Sequence, residues 1–309
     1  MNISQDNINQ FLEKYIHFVD KISYKYSYPD NIRHLLYLIV PSFVIKYGVS
    51  NESLILKCFE EVVVYISGTE NQVVTASFNR KLYIDEGECK TKKYIVINEY
   101  KSASLTNLID SIVHEYNHAI NSINNEISYD DKYVKLRTGL GYLIYDKTTL
   151  KFISKSKESC LEEVINTEQT EEIVNIIDSF GGYKINNIEF SNMLYALRNE
   201  INSNSYVSDA YYFQSYICEN LMKNKTFTPT ICNLRFKGFI ESIPELFDNV
   251  IGKKGSYVYF CSLLEEIYNL EIKYNKTTLF KKIIFNRLKN KASKVISLIE
   301  EYDNKCIYK

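Results

Sequence analysis

Histidine occurs only four times in the 309-residue chain, at His17, His34, His114 and His118. Little imidazole chemistry is therefore open to it, and a close pair among the four stands out. Glycine (10) and proline (4) are also scarce, which leaves little material for tight turns and points to long elements. The seven cysteines are an odd number, widely scattered and without a CxxC pair. That excludes a disulfide frame and a cysteine-type zinc site, and it fits the reduced thiols of a cytoplasmic protein. No apolar run reaches the ~20 residues of a membrane-spanning helix; the best, Leu35–Ile45, is interrupted by Pro41. The N-terminal MNISQDNINQ lacks the basic and apolar segments of a secretory signal. An excess of one charge is missing as well, since 37 Lys and Arg against 38 Asp and Glu leave a net charge of −1. With no basic run in view, neither nucleic acid nor a membrane is an expected partner.

What is present is the composition of a globular protein, 45% hydrophobic and 24% charged. The length lies near the upper limit for one hydrophobic core, so one large domain or two closely packed ones are expected. Helical periodicity covers residues 3–26 and 31–47, with Pro41 as a kink or break, and continues over 50–66, whose last part VVVYIS reads equally as a strand. Gln72–Ile84 and Lys93–Tyr100 are β-branched and aromatic and flank the turn-rich Asp85-Glu86-Gly87-Glu88. Tyr133–Tyr145 and Leu150–Ser154 read as a second hairpin, around Asp146-Lys147. Residues 158–177 are helical, and helices are expected at 188–201, 205–224, 237–250, 256–272 and 277–302. The class is α+β, predominantly helical.

The chemistry centres on 104–124, SLTNLIDSIVHEYNHAINSIN. Apolar residues at Leu105, Leu108, Ile109, Ile112, Val113, Ile120 and Ile123 recur with the period of a helix that buries one face. Ser104 suits the N-cap, and Asp110 lies early enough to suit the positive end of the helix dipole. Within it, His114-Glu115-Tyr116-Asn117-His118 sets two histidines one turn apart, with β-carbons roughly 5–6 Å from each other. Two imidazoles so placed can share one tetrahedral Zn²⁺, while Glu115, about a third of a turn away, can reach a water on the metal without being a ligand. Two such histidines can also be the polar edge of an amphipathic helix. Here Ile112, Val113, Ala119 and Ile120 surround them, which sets the pair against a core. His17 and His34 fall in the first two helices and read as core or surface histidines.

A catalytic site of this type needs a third protein ligand. ESCLEEVINTEQTEEIVNIID, residues 158–178, is crowded with carboxylates, the usual mark of a solvated helix face. Cys160, Leu161, Val164 and Ile165 nevertheless bracket Glu162 and Glu163, so at least one of the two points near a core. With HEYNH and LEEVINTEQTE together, the chain resembles the zincin metallopeptidases of the gluzincin type over about residues 70–180. LEEVINTEQTE is similar to their third-ligand helix, Leu-x-Glu-Gly followed by Thr-Glu. Val164 stands where glycine is common, and Thr167 where an acidic residue is common. By this resemblance Glu163 is the third ligand, with Glu162 as the alternative.

The resemblance implies one Zn²⁺ per chain, held by His114, His118 and Glu163. It also implies a peptide or protein substrate, hydrolysed by Glu115-assisted attack of metal-activated water. No histidine follows His118, so a tyrosine is the expected second donor to the oxyanion. The segment Ser205–Met222 offers Tyr206, Tyr211, Tyr212 and Tyr216, of which Tyr206 and Tyr211 are taken as the assisting pair. The expected organisation is an N-terminal helical region 1–66, a zincin-like catalytic domain 67–180 and a C-terminal helical domain 183–309, with Gly181-Gly182 either a hinge or a simple loop within one continuous helical core. Two other readings remain open: a non-catalytic zincin-like scaffold that binds or regulates a partner, and a zinc hydrolase acting on a non-peptide amide.

Overall fold

The computed structural model describes residues 5–67, 76–98, 105–180, 184–185, 188–189, 217, 220–221, 223–276 and 280–307. By internal contacts the chain divides into two compact units, each made of two stretches: 1–120 with 169–205, and 121–168 with 206–309. The chain is mostly helical with small sheets, the α+β class read from its sequence. Gly181-Gly182, Ser104, Tyr206, Tyr211, Tyr212 and Tyr216 lie outside the described residues.

The first unit opens with three helices, α1 (Gln5–Tyr26), α2 (Asp30–Tyr47) and α3 (Glu52–Glu61). Leu12, Tyr15, Val19 and Ile22 form the buried stripe of α1, and ten consecutive residues of α2, Leu35–Val44, are buried. Pro41 does not break α2, which runs on through it. Burial on all sides holds the helix where local propensity would end it, and the Ser42 hydroxyl donates to the Leu38 carbonyl beside the gap, at 2.7 Å. Among the described residues, no single helix is long and apolar enough to cross a membrane.

Helix α3 passes directly into β1 (Val62–Ile66), so the VVVYIS segment is a strand. With β2 (Ala76–Asp85) and β3 (Glu88–Ile97) it makes a sheet ordered β1-β3-β2, in which β1 runs parallel to β3 and β2 antiparallel to it. The β2–β3 turn is only two residues, Glu86 at φ 51° and Gly87 at φ 82°. Positive φ at both central positions twists a tight hairpin in the sense its strands need. Val62, Val64, Ile95 and Ile97 fall at period two and are buried, giving the sheet one core face. Helix α4 (Leu105–Ile120) packs against β2 and β3.

The second unit begins with the antiparallel strands β4 (Ile127–Tyr129), β5 (Tyr133–Thr138), β6 (Gly141–Asp146) and β7 (Phe152–Lys155). The stretch expected as one strand from Tyr133 to Tyr145 is therefore two, turning at Gly139-Leu140. Helix α5 (Ser159–Ser179) follows, its first half counted with this unit and its second half with the other. The short strands β8 (Lys184–Ile185) and β9 (Ile188–Glu189) stand where the helix 188–201 was expected to start.

Among the described residues the second unit continues with the helices α6 (Phe227–Lys237), α7 (Ile243–Ile251), α8 (Ser256–Lys276) and α9 (Lys281–Ile307). The sequence reading has no counterpart of α6. Its end signals are nonetheless in the chain, with Pro229 in the first turn and Gly238 at φ 76° after the last residue. The core joins Phe227, Phe247, Phe260 and Tyr302, whose rings pack around Phe227 at centroid distances of 5.5, 5.6 and 5.2 Å. Each such pair contributes roughly 0.5–1.5 kcal/mol beyond its area burial.

Candidate metal centre

Helix α4 turns Ile109, Ile112, Val113, Tyr116 and Ile120 inward. Tyr116 lies against Phe59 with ring centroids 4.1 Å apart, and its hydroxyl donates to the Val62 carbonyl at 3.3 Å. That anchorage fixes the helix's rotation and leaves His114 and His118 together, half-buried, on an adjoining face. Their Nε2 atoms are 3.2 Å apart, with ring planes at 79°. A tetrahedral metal about 2.0–2.1 Å from each of two nitrogens holds them ~3.3 Å apart, so the pair already has the spacing such an ion needs. One ligand atom from each of His114, His118 and Glu163 lies within 4.8 Å of the other two. Two imidazole nitrogens and a carboxylate oxygen are a donor set suited to zinc.

The neighbouring glutamates on α5 have different surroundings. Glu163 is exposed, and its backbone carbonyl accepts from the Thr167 hydroxyl at 2.8 Å. Glu162 is buried and engaged elsewhere. Its Oε2 accepts from Arg235 Nε and from the Leu140 backbone N–H, both at 2.8 Å, and its Oε1 takes a further bond from the Arg235 guanidinium. The same guanidinium donates to Asn166 Oδ1 at 2.7 Å. Of the two carboxylates, only Glu163 joins the histidines.

Gly139 is part of this arrangement. It stands at φ +63°, and a β-carbon there would lie 2.1 Å from Glu162 Oε2. Gly139→Ala is expected to lower stability by at least about 2 kcal/mol, because it combines left-handed strain with displacement of a buried, paired carboxylate. A shift in the urea midpoint measures it, and an unchanged midpoint would show that Glu162 can move aside freely.

Glu115 is buried, and its Oε2 accepts from the Phe78 backbone N–H at 2.6 Å. Phe78 lies on β2, an edge strand of its sheet among the described residues. Asn117, fully buried, takes a hydrogen bond from the Tyr47 hydroxyl, which also lies 3.4 Å from Gln169 Oε1 on α5. Lys46 pairs with Glu172, also on α5. One turn before His114 stands Asp110. Burial pushes its carboxyl above the usual carboxylate range, His114 pulls it back, and Glu171 and Glu115 push it further up.

Sequence reasoning did not find the parts played by Phe78, Asp110 and Arg235. The i, i+4 spacing of Asp110 and His114 could have flagged the second; nothing local marks the other two. No family model, no curated protein and no solved structure matches the chain.

Proposed function

We propose that the protein is a zinc-dependent metallopeptidase of the gluzincin type, with a zincin-like catalytic region carrying one Zn²⁺ per chain on His114, His118 and Glu163. The observation that carries the reading is the meeting of these three ligand atoms within 4.8 Å around a histidine pair already set for a tetrahedral ion. When bound, the zinc supplies Lewis acidity, polarising a peptide carbonyl and making water easier to deprotonate.

The chain's own residues do the rest. His114 and His118 bind through Nε2 in their neutral form, which leaves the proton on Nδ1. Glu163 brings the negative charge that partly offsets the ion. Glu115 has one oxygen engaged by the Phe78 N–H, so Oε1 is the atom that takes a proton from the attacking water and returns it to the leaving amine. That same bond ties the base to the rim of the sheet. An extended peptide paired along the outer side of β2 would run past the carboxylate, by strand addition. Tyr206 and Tyr211 remain the proposed donors to the oxyanion.

A second reading, a non-catalytic scaffold, has one observation in its favour: a buried carboxylate bonded to a backbone N–H is also an ordinary way to fasten a helix to a sheet. Metal analysis of the purified protein separates the two. About one zinc per chain supports the enzyme, and a chain that takes up no zinc from a stoichiometric supply would end that proposal. Glu163→Ala is expected to weaken zinc binding by more than the roughly 10–100-fold that loss of an outer-shell partner costs. Glu162→Ala should act on stability instead. Chelator competition measures both, and equal zinc affinity in wild type and Glu163→Ala would move the third ligand elsewhere.

A further inference from the structure

The near-zero charge of the whole chain conceals one strongly uneven stretch. Between Ile272 and Ile299 the sequence has eight lysine or arginine residues and no aspartate or glutamate. Most of it lies on α9, which packs against α8 through a stripe that includes Ile284, Leu288, Ala292, Val295 and Ile299. At the start of α9, three large apolar side chains lie outside that stripe: Phe280 is 71% exposed, Ile283 52% and Phe285 41%. Lys281, Lys282, Arg287 and Lys289 alternate with them and are exposed too. Among the described residues none of these four cations forms an ion pair; Lys281 instead lies 4.9 Å over the Tyr274 ring.

Folding alone does not favour this arrangement. Lys281 and Lys282 occupy the first turn of α9, where the positive end of the helix dipole repels them. Phe280 has φ +63°, a conformation that strains a bulky residue, and its carbonyl accepts from the Ile283 and Ile284 N–H groups at 2.9 and 3.1 Å. Strain, unfavourable charge and exposed apolar area therefore coincide at one helix end.

We infer that this end of α9 is a docking surface for an anionic lipid bilayer. Phe280, Ile283 and Phe285 enter the boundary between headgroups and acyl chains, and the surrounding cations meet the lipid phosphates and carboxylates. A nucleic-acid strand could use the same cations, but it offers an aliphatic side chain such as Ile283 nothing to bury against. The surface does not depend on the metal centre or on its proposed chemistry.

The test is co-sedimentation of the full chain with phosphatidylcholine vesicles, with and without one third phosphatidylserine. Binding to the anionic vesicles is expected to be at least about tenfold tighter than to the neutral ones, and to weaken as salt rises. Phe280→Gly suits the left-handed backbone, so that variant folds at least as well as wild type and should bind the anionic vesicles several-fold more weakly. Lys281→Gln with Lys282→Gln should lose most of the anionic preference, with circular dichroism confirming the fold. Failure to bind anionic vesicles at low salt would overturn the inference, as would binding unchanged in both variants. Displacement of vesicles by a single-stranded oligonucleotide, with no weakening in Phe280→Gly, would assign the surface to nucleic acid instead.

Discussion

Glu115→Gln is expected to purify with its zinc and to hydrolyse peptides on the order of 10²–10⁴-fold more slowly than wild type. The substitution keeps the shape and one acceptor oxygen, so the Phe78 N–H, 2.6 Å from Oε2 in the wild type, retains a partner. What it removes is the basicity that the proposed mechanism needs to draw a proton from water. His114→Ala and His118→Ala should behave differently, because each deletes one of two nitrogens only 3.2 Å apart that would share the ion. Both are expected to lose the zinc itself. Metal content and turnover of a peptide library, measured together, give each variant two independent readings. A fully active Glu115→Gln would sink the proposed mechanism, while histidine variants that keep stoichiometric zinc would remove the centre from His114 and His118.

The largest loss of stability is expected from Arg235→Met. Arg235 and Glu162 form a buried ion pair, with side chains 0% and 4% exposed. The guanidinium also serves Asn166, and Glu162 holds the Leu140 N–H as well. Removing the cation strands a buried carboxylate, a change that typically costs about 3–5 kcal/mol. The paired substitution Arg235→Met with Glu162→Leu should recover part of this, since no charge is then left uncompensated. Chemical denaturation followed by circular dichroism compares the three proteins. If Arg235→Met unfolded at the wild-type midpoint, the pair would be an incidental contact and not a support of the second unit. Arg137 makes a useful contrast. It is fully buried, and its guanidinium donates to the backbone carbonyls of Asn124, Gly139 and Arg235 at 2.6, 2.9 and 2.9 Å. Arginine thus links strand, turn and helix through main-chain groups in one place and through a carboxylate in the other.

Elements with a strong local period were readable in the chain. The stripe of α1, the strands around Gly87 and the helix carrying HEYNH all follow from residue spacing. Local reading failed where a residue acts against its own propensity or where the signal is short. Pro41 suggested an interruption, but the burial of α2 overrides it. Tyr133–Tyr145 resembled one strand because its two apolar runs are separated only by Gly139-Leu140. Ile188 and Glu189 belong to a two-residue strand, too short to show any period. The lysines of α9 are spread between apolar residues and form no run, so the sequence reading passed over them, and only burial separates Ile284 and Leu288, turned inward, from Phe280 and Ile283, left outside.

The sequence by itself determined that His114 and His118 could act as a pair. Four residues along a helix is a local distance, set by the backbone whatever the rest of the chain does. It also determined that a carboxylate-rich helix would follow, with Glu162 and Glu163 side by side. Which of these two is taken into the interior was decided only in three dimensions. Adjacent helical residues point about 100° apart, and both are glutamates, so no local signal separates them. The choice depends on Arg235, 73 residues further along, which claims Glu162 for the interior. Likewise the anchor of Glu115 is a backbone N–H 37 residues before it, on a strand edge that exists only once the sheet has formed. Side-chain type and helical spacing are written in the chain, whereas the partner that claims each buried charge is set by packing between segments far apart in sequence.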